Sequence, residues 1–198
     1  MDRNLAGYYL TAFRKKRMTP QCAGVAELFW SDMDDRRKLE QITTFLRGAT
    51  QLHDDTVAYL KRGIRGHYGG EGYVFGIDAE EEMHFWSELH DLFPEHAGLT
   101  FVAADAAYAV DEPRALVMFL DCFAREPEMV YQLEGAVVGS FLDSVELCLP
   151  YELALLKATV AEGDVEEIHE CEKELMATYA SDTQALYRIR AVTGHREA

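Results

Sequence analysis

Basic residues are scarce in this chain. It has 19 Lys and Arg against 35 Asp and Glu, which gives a formal net charge of −16. Nucleic acids reward basic surfaces because their phosphates must be neutralised, so we expect no nucleic-acid partner. The chain also lacks an apolar run long enough to span a bilayer. Its first residues lack the apolar stretch and small-residue cleavage site of a secretory signal. We therefore expect a cytoplasmic protein without a membrane span.

Cysteine is sparse as well, and the four cysteines are scattered along the sequence. None of them lies within metal-ligand spacing of another, a pattern that suits small apolar side chains in a reducing compartment. They are Cys22, Cys122, Cys148 and Cys171. Apolar residues make up 48% of the 198 residues, with ordinary amounts of Gly and Pro. This composition predicts a single globular domain with one core over residues 1–198.

The periodicity of apolar residues predicts helices along nearly the whole chain, and no segment alternates as a strand would. Thr19-Pro20 marks a helix start. A long helix is predicted from a seam spaced by three and four residues: Leu39, Ile42, Leu46, Ala49, His53, Val57 and Leu60. We expect a loop over 94–111, and continuous helices over 127–149 and 165–192. The predicted fold class is all-α, a compact helical bundle with large loops.

Two adjacent carboxylates, Asp54 and Asp55, follow His53, and the basic pair Lys61-Arg62 comes one to two helical turns later. Mg²⁺ prefers carboxylate and phosphate oxygens, so this layout predicts a site for Mg²⁺ and a diphosphate. The alternative is an acidic helix surface beside a core histidine. A second basic block, 14–17, predicts either an anion site or a solvated tail.

Two Glu-x-x-His pairs suggest a different metal chemistry. Glu81/His84 and Glu166/His169, with Glu134 between them, have the spacing of a di-iron carboxylate bundle. Such pairs also arise by chance in a glutamate-rich chain. Helical geometry turns His84 and Glu166 away from the apolar faces of their helices, which favours the chance interpretation.

The order of several motifs resembles that of the trans-isoprenyl diphosphate synthase (polyprenyl synthetase) family. Residues 53–63 resemble its His-Asp-Asp-x-x-Asp and Arg-Arg-Gly motifs, with Ala58 in place of the third aspartate. Residues 16–20 are similar to Gly-Lys-Arg-x-Arg-Pro, and 157–159 fall where the family has Lys-Thr. Residues 183–194 keep the frame of Phe-Gln-x-x-Asp-Asp-x-x-Asp, with the glutamine retained and the aspartates replaced. The resemblance covers residues 14–194.

This resemblance implies the isoprenoid synthase (terpenoid synthase) fold, truncated at its C-terminus and preceded by a basic N-terminal segment, 1–18. It implies that Asp54 and Asp55 bind Mg²⁺ and act in catalysis. It further implies a set of contacts to substrate diphosphates, made by Lys16, Arg17, His53, Lys61, Arg62, Lys157 and Gln184.

The missing aspartates decide which function we expect. Residues four apart share a helix face, about 40° from each other, so the same-face partner of Asp54 is Ala58. In the second motif the corresponding pair is Tyr187 and Ala191. We therefore expect a non-catalytic or regulatory subunit, or a prenyl diphosphate binder, whose partner is a larger synthase subunit or a second copy of the chain. The alternatives are an active Mg²⁺-dependent prenyltransferase or class I terpene synthase-like enzyme, and a scaffold reused for an unrelated function.

Overall fold

The computed structural model describes residues 18–65 and 76–194. Every regular element in these residues is a helix and none is a strand, so the all-α prediction is confirmed for them. The chain divides into two compact units, residues 1–110 and 111–198. The single-domain organisation expected from composition stays a prediction.

In the first unit, α1 packs against α2 and α3, while α4 packs against α2 and α5, and α3 contacts α5. The helices described in this unit are α1 (Pro20–Phe29), α2 (Asp35–Arg47), α3 (Asp54–Arg65), α4 (Ala79–Leu92) and α5 (Ala97–Tyr108). The predicted start of α1 is confirmed, because Thr19 Oγ1 accepts the Cys22 N–H at 3.2 Å. Asp78 starts α4 in the same way, through a capping box with Glu81.

The second unit is built around α8, which contacts every other helical element described in it. Its elements are α6 (Glu112–Arg125), a short 3-10 helix (Pro127–Gln132), α7 (Gly135–Asp143), α8 (Cys148–Glu162), α9 (Val165–Thr178) and α10 (Thr183–Thr193). Leu153 and Leu156 of α8 pack with Ile189 of α10 in a buried cluster. Half-buried side chains of α9, including Leu175, complete this core.

The predicted long helix through the 39–60 seam is wrong. The first part ends at Arg47 with Gly48 as its C-cap, and α3 starts only at Asp54. The side chain of Gln21 stabilises this break, since its Nε2 donates to the Gln51 carbonyl at 2.8 Å and its Oε1 accepts the His53 N–H at 2.9 Å. A tertiary contact of this kind leaves no periodic signal in the sequence.

The predicted loop over 94–111 is also wrong, because most of it is α5. Nearly every side chain of this helix is buried, on all of its faces. A helix that is apolar all round shows no amphipathic period, so the search for one missed it. Its start is set by His96, whose Nδ1 accepts the Leu99 N–H at 3.1 Å.

Two further helices are shorter than predicted. The stretch 127–149 is divided into the 3-10 helix, α7 and the start of α8, and Pro150 lies in the first turn of α8. A proline is tolerated there because first-turn N–H groups have no intrahelical partner. The stretch 165–192 is divided between α9 and α10, where Asp182 accepts the N–H groups of Gln184 and Ala185 at 3.0 Å.

Gly63 of α3 leaves room for the ring of Phe29. A Cβ at Gly63 would lie 2.3 Å from Phe29 Cζ, a distance at which the ring must move. Phe29 is only 1% exposed and packs edge-on against Trp30 and Tyr59, so the ring has little freedom to do so. The absence of a side chain at Gly63 therefore sets how closely α1 and α3 approach.

Gly63→Ala should lower the free energy of unfolding by about 1–3 kcal/mol, because it overpacks the contact between α1 and α3. Alanine is the better helix former, so Gly139→Ala in α7, with no atom within 4 Å of the new Cβ, should instead raise stability. Urea denaturation of both variants measures the two effects. A Gly63→Ala variant as stable as the parent would contradict this packing.

Candidate functional site

The sequence His53-Asp54-Asp55 lies at the start of α3, not in the middle of a longer helix. Asp54 and Asp55 occupy the first turn, and the His53 carbonyl accepts the N–H groups of Thr56 and Val57 at 2.9 and 3.2 Å. Negative side chains in a first helical turn interact favourably with the helix dipole. Both aspartates thus have a structural role before any ligand is considered.

Asp55 joins α3 to the start of α1. Its Oδ2 accepts the main-chain N–H of Thr19 at 2.7 Å, and its Oδ1 accepts the Thr19 hydroxyl at 3.0 Å. Thr19 is the N-cap of α1, so the carboxylate holds the residue that starts this helix. Both carboxylate oxygens of Asp55 already accept hydrogen bonds from the protein.

Asp54 points outward. Its side chain is 97% exposed, and its Oδ1 lies 3.2 Å from His96 Nε2. Because His96 Nδ1 accepts the Leu99 N–H, the imidazole is held with its Nε2 towards Asp54. Asp54 is therefore a solvent-exposed carboxylate that contacts His96, the N-cap of α5.

These carboxylates do not form the paired magnesium site expected from the sequence. Mg²⁺ needs octahedral oxygen ligands, usually one or two carboxylates together with phosphate oxygens. Asp55 is engaged with Thr19, which leaves Asp54 as a single exposed carboxylate. Across residues 18–65 and 76–194, no group of three or more His, Cys, Asp or Glu side chains is arranged to hold a metal ion.

The residues of the di-iron interpretation serve other purposes or face solvent. Glu81 Oε2 accepts the Asp78 N–H at 3.1 Å, and its other oxygen forms an ion pair with Arg36. His84 is exposed, as its position on the helix predicted. The remaining members, Glu134, Glu166 and His169, are exposed too.

The predicted diphosphate contacts are divided between the units. Lys16 and Arg17, with most of the basic N-terminal segment, lie outside the described residues. In the first unit, Lys61 Nζ lies 5.5 Å from the centre of the Phe101 ring, and Arg62 is exposed. His53 is half-buried, with Nε2 3.4 Å from Gln51 Nε2.

Lys157 and Gln184 belong to the second unit, where both are exposed. That they, like the residues of the first unit, contact substrate diphosphates stays a prediction.

The buried Cys22 thiol and Tyr59 hydroxyl stay protonated at neutral pH. The Cys22 thiol donates to the Asp55 carbonyl at 3.5 Å, and burial, reinforced by the Asp55 charge, raises its pKa from 9.0 to about 12. Burial also raises the pKa of Tyr59, whose hydroxyl accepts the Trp30 indole N–H. Neither group supplies an anionic nucleophile near neutral pH.

The second unit contains a cavity of about 620 Å³ between α6, α8 and α10. Most of its lining is apolar, and its polar exceptions are two cations and a tyrosine. The lining residues are Leu120, Phe123, Ala124, Pro150, Leu153, Ala154, Lys157, Val160, Tyr187, Arg188, Ala191 and Val192.

The two cations of this cavity, Lys157 of α8 and Arg188 of α10, are exposed. Two other basic residues of the unit, Arg125 and Lys173, are neutralised locally by ion pairs with carboxylates one turn away on their own helices. Among the described residues, no carboxylate forms an ion pair with Lys157 or Arg188. Their positive charge is therefore available to an anion.

Some residues that line this cavity were predicted from the sequence, and others were missed. Tyr187 and Ala191 were assigned to one helix face, and both line the cavity. Lys157 came from the family resemblance. Arg188 was missed, although it lies next to Tyr187 in a helix with two arginines and no carboxylate. Gln184 does not line the cavity.

Comparisons with known proteins give no family for this chain. No protein-family model matches it, and neither do curated proteins or solved structures. None of the helices in the described parts of the chain combines the length and apolar character that a membrane crossing requires. The functional conclusion therefore depends on the geometry of the cavity and on the resemblance of the motifs.

Proposed function

We propose that this protein binds prenyl diphosphates without turning them over. The apolar chain of the ligand lies in the cavity between α6, α8 and α10, and its diphosphate contacts Lys157 and Arg188. The observation that carries this proposal is the pair of unneutralised cations beside an apolar cavity, in a chain whose net charge is −16. An apolar tail with an anionic head is complementary to both features.

The apolar chain and the diphosphate head group of such a ligand both contribute favourably to its binding free energy. Each Å² of apolar surface removed from water contributes about 25 cal/mol, and cavities for small ligands typically measure roughly 300–1,000 Å³. The cavity of about 620 Å³ lies within that range. Lys157 and Arg188 are exposed, so the charged head group stays hydrated and loses little solvation on binding.

We expect no turnover, because ionisation of the substrate requires groups that stabilise the charge developing on the leaving diphosphate. When an allylic diphosphate ionises, its diphosphate leaves as an anion. Losing one preorganised group that stabilises the developing charge costs about 10²–10³ in rate. Tyr187 and Ala191 stand where the resemblance would place carboxylates, and Asp55 is committed to Thr19. We propose a regulatory role in isoprenoid biosynthesis, in association with a larger synthase subunit or with a second copy of the chain.

Calorimetric titration of the full chain with farnesyl diphosphate tests the proposal. We expect saturable binding that changes less than about twofold when EDTA replaces Mg²⁺, because cations of the protein bind the head group. Farnesol, without the head group, and inorganic diphosphate, without the tail, should each bind more weakly. A parallel assay should detect no release of diphosphate.

Two results would contradict this function. Release of diphosphate from an allylic substrate that depends on Mg²⁺ and is lost in Asp54→Ala would identify an active prenyltransferase. Farnesyl diphosphate binding no tighter than inorganic diphosphate would show that the apolar cavity contributes nothing.

A further inference from the structure

The first unit has a cavity of its own, about 710 Å³ in volume, between α2 and α4. Its floor is apolar and buried, formed by Leu39, Ile77 and Phe85. Val110 and Met83 add partly exposed apolar surface at its edge. The size and the apolar floor match those of sites for small organic molecules.

Thr43 supplies a polar group inside this cavity. It is only 3% exposed and lies one turn after Leu39 on the same face of α2. Its neighbour Thr44 donates to the Glu40 carbonyl at 2.8 Å, but the Thr43 hydroxyl has no hydrogen-bond partner in the described parts of the chain. A hydroxyl can both donate and accept hydrogen bonds, so Thr43 offers a polar contact to a ligand in the cavity.

The rim of the cavity is negatively charged. Glu40 of α2 and Glu80 of α4 are exposed lining residues, and neither forms an ion pair with a cation of the described residues. Two other rim carboxylates form ion pairs, Glu81 with Arg36 and Glu88 with Arg47, while Asp78 Oδ1 accepts the Glu81 N–H. The excess negative charge therefore comes from carboxylates on both sides of the cavity.

We propose that this cavity binds an organic amine with an apolar body. The apolar part packs on Leu39 and Phe85, and the protonated nitrogen lies at the rim near Glu40 and Glu80. The Thr43 hydroxyl contacts a polar group of the same ligand. This site differs from the cavity of the second unit in the sign of its charge, and it does not depend on the proposed binding of prenyl diphosphates.

Three probes with the same apolar chain test the charge preference: octylammonium, octanol and octanoate, each titrated calorimetrically into the full chain below its micelle concentration. Two exposed carboxylates should favour octylammonium over octanol by about tenfold, with octanoate weakest. In the double variant Glu40→Gln/Glu80→Gln this preference should fall to about twofold or less. The control Glu128→Gln/Glu162→Gln removes equal charge from exposed positions of the second unit and should keep the preference.

Methyl NMR locates the probe independently of these variants. Octylammonium should shift the methyl signals of Ile77, Val110 and Thr43. Because its only polar group is the ammonium at the rim, Thr43→Val should keep the preference for the cation. Equal affinity for the three probes, or shifts that leave Ile77 and Val110 unchanged, would overturn the proposal. So would a cation preference that survives in Glu40→Gln/Glu80→Gln.

Discussion

Replacing Lys157 and Arg188 together with methionine should weaken binding of farnesyl diphosphate about 30-fold, because each removed ion pair contributes up to about 1 kcal/mol at an exposed site. Methionine keeps an unbranched apolar stem, so the lining of the cavity should change little. Each single variant should lose roughly fivefold. Calorimetric titration against the parent chain measures all three variants.

Lys173→Met provides the matched control. Lys173 is an exposed lysine of the same unit whose Nζ lies 3.6 Å from Glu170, and it does not line the cavity. This variant should bind farnesyl diphosphate as the parent does. The comparison therefore separates the effect of losing any positive charge from the effect of losing a positive charge at the cavity. Equal weakening by Lys173→Met and Lys157→Met would contradict a specific anion contact.

Asp55→Ala should lower the free energy of unfolding by about 2–3 kcal/mol. The substitution removes two hydrogen bonds to a charged acceptor and releases Thr19, the N-cap of α1. The loss should be equal with and without EDTA, because it comes from contacts within the protein. Urea denaturation followed by circular dichroism measures it.

Asp54→Ala is the control on the adjacent position. Its side chain is 97% exposed and forms an ion-pair contact with His96 alone among the described residues of the first unit, so its effect on stability should be far smaller. Neither variant should alter binding of farnesyl diphosphate by more than about twofold, since the proposed ligand contacts lie on α8 and α10. An Asp55→Ala variant as stable as the Asp54→Ala variant would contradict the structural role of the Asp55 carboxylate.

The helix starts were predictable where local chemistry sets them. Thr19 and Asp78 cap their helices with their own side chains, and such signals lie within a few residues of sequence. The break before Asp54 was not predictable, because it is stabilised by Gln21, some thirty residues away. The apolar seam continued through the break, so periodicity alone favoured one helix.

The buried helix α5 shows a different reason for failure. Amphipathic periodicity detects a helix with one solvent-exposed face, and α5 has hardly any solvent-exposed surface. Composition was the remaining signal, since alanine is frequent in residues 97–108 and has the highest helix propensity. Giving weight to that propensity would have identified the helix.

The candidate site was predictable only in fragments. The resemblance of motifs led to Lys157, and helical spacing put Tyr187 and Ala191 on one face, but the pairing of α8 with α10 is a tertiary property. Asp55 illustrates the opposite case, because adjacent aspartates are equally compatible with a metal site and with helix starts. The hydrogen bonds from Thr19 distinguish the two roles, and they depend on α1 lying beside α3.

The most direct test of the central claim is methyl NMR of the full chain titrated with farnesyl diphosphate. Binding in the second unit predicts shifts of methyl groups that line its cavity, namely those of Leu120, Leu153, Val160 and Val192. Shifts confined to methyl groups near Asp54, such as Val57, or no shift at a saturating ligand concentration, would contradict it.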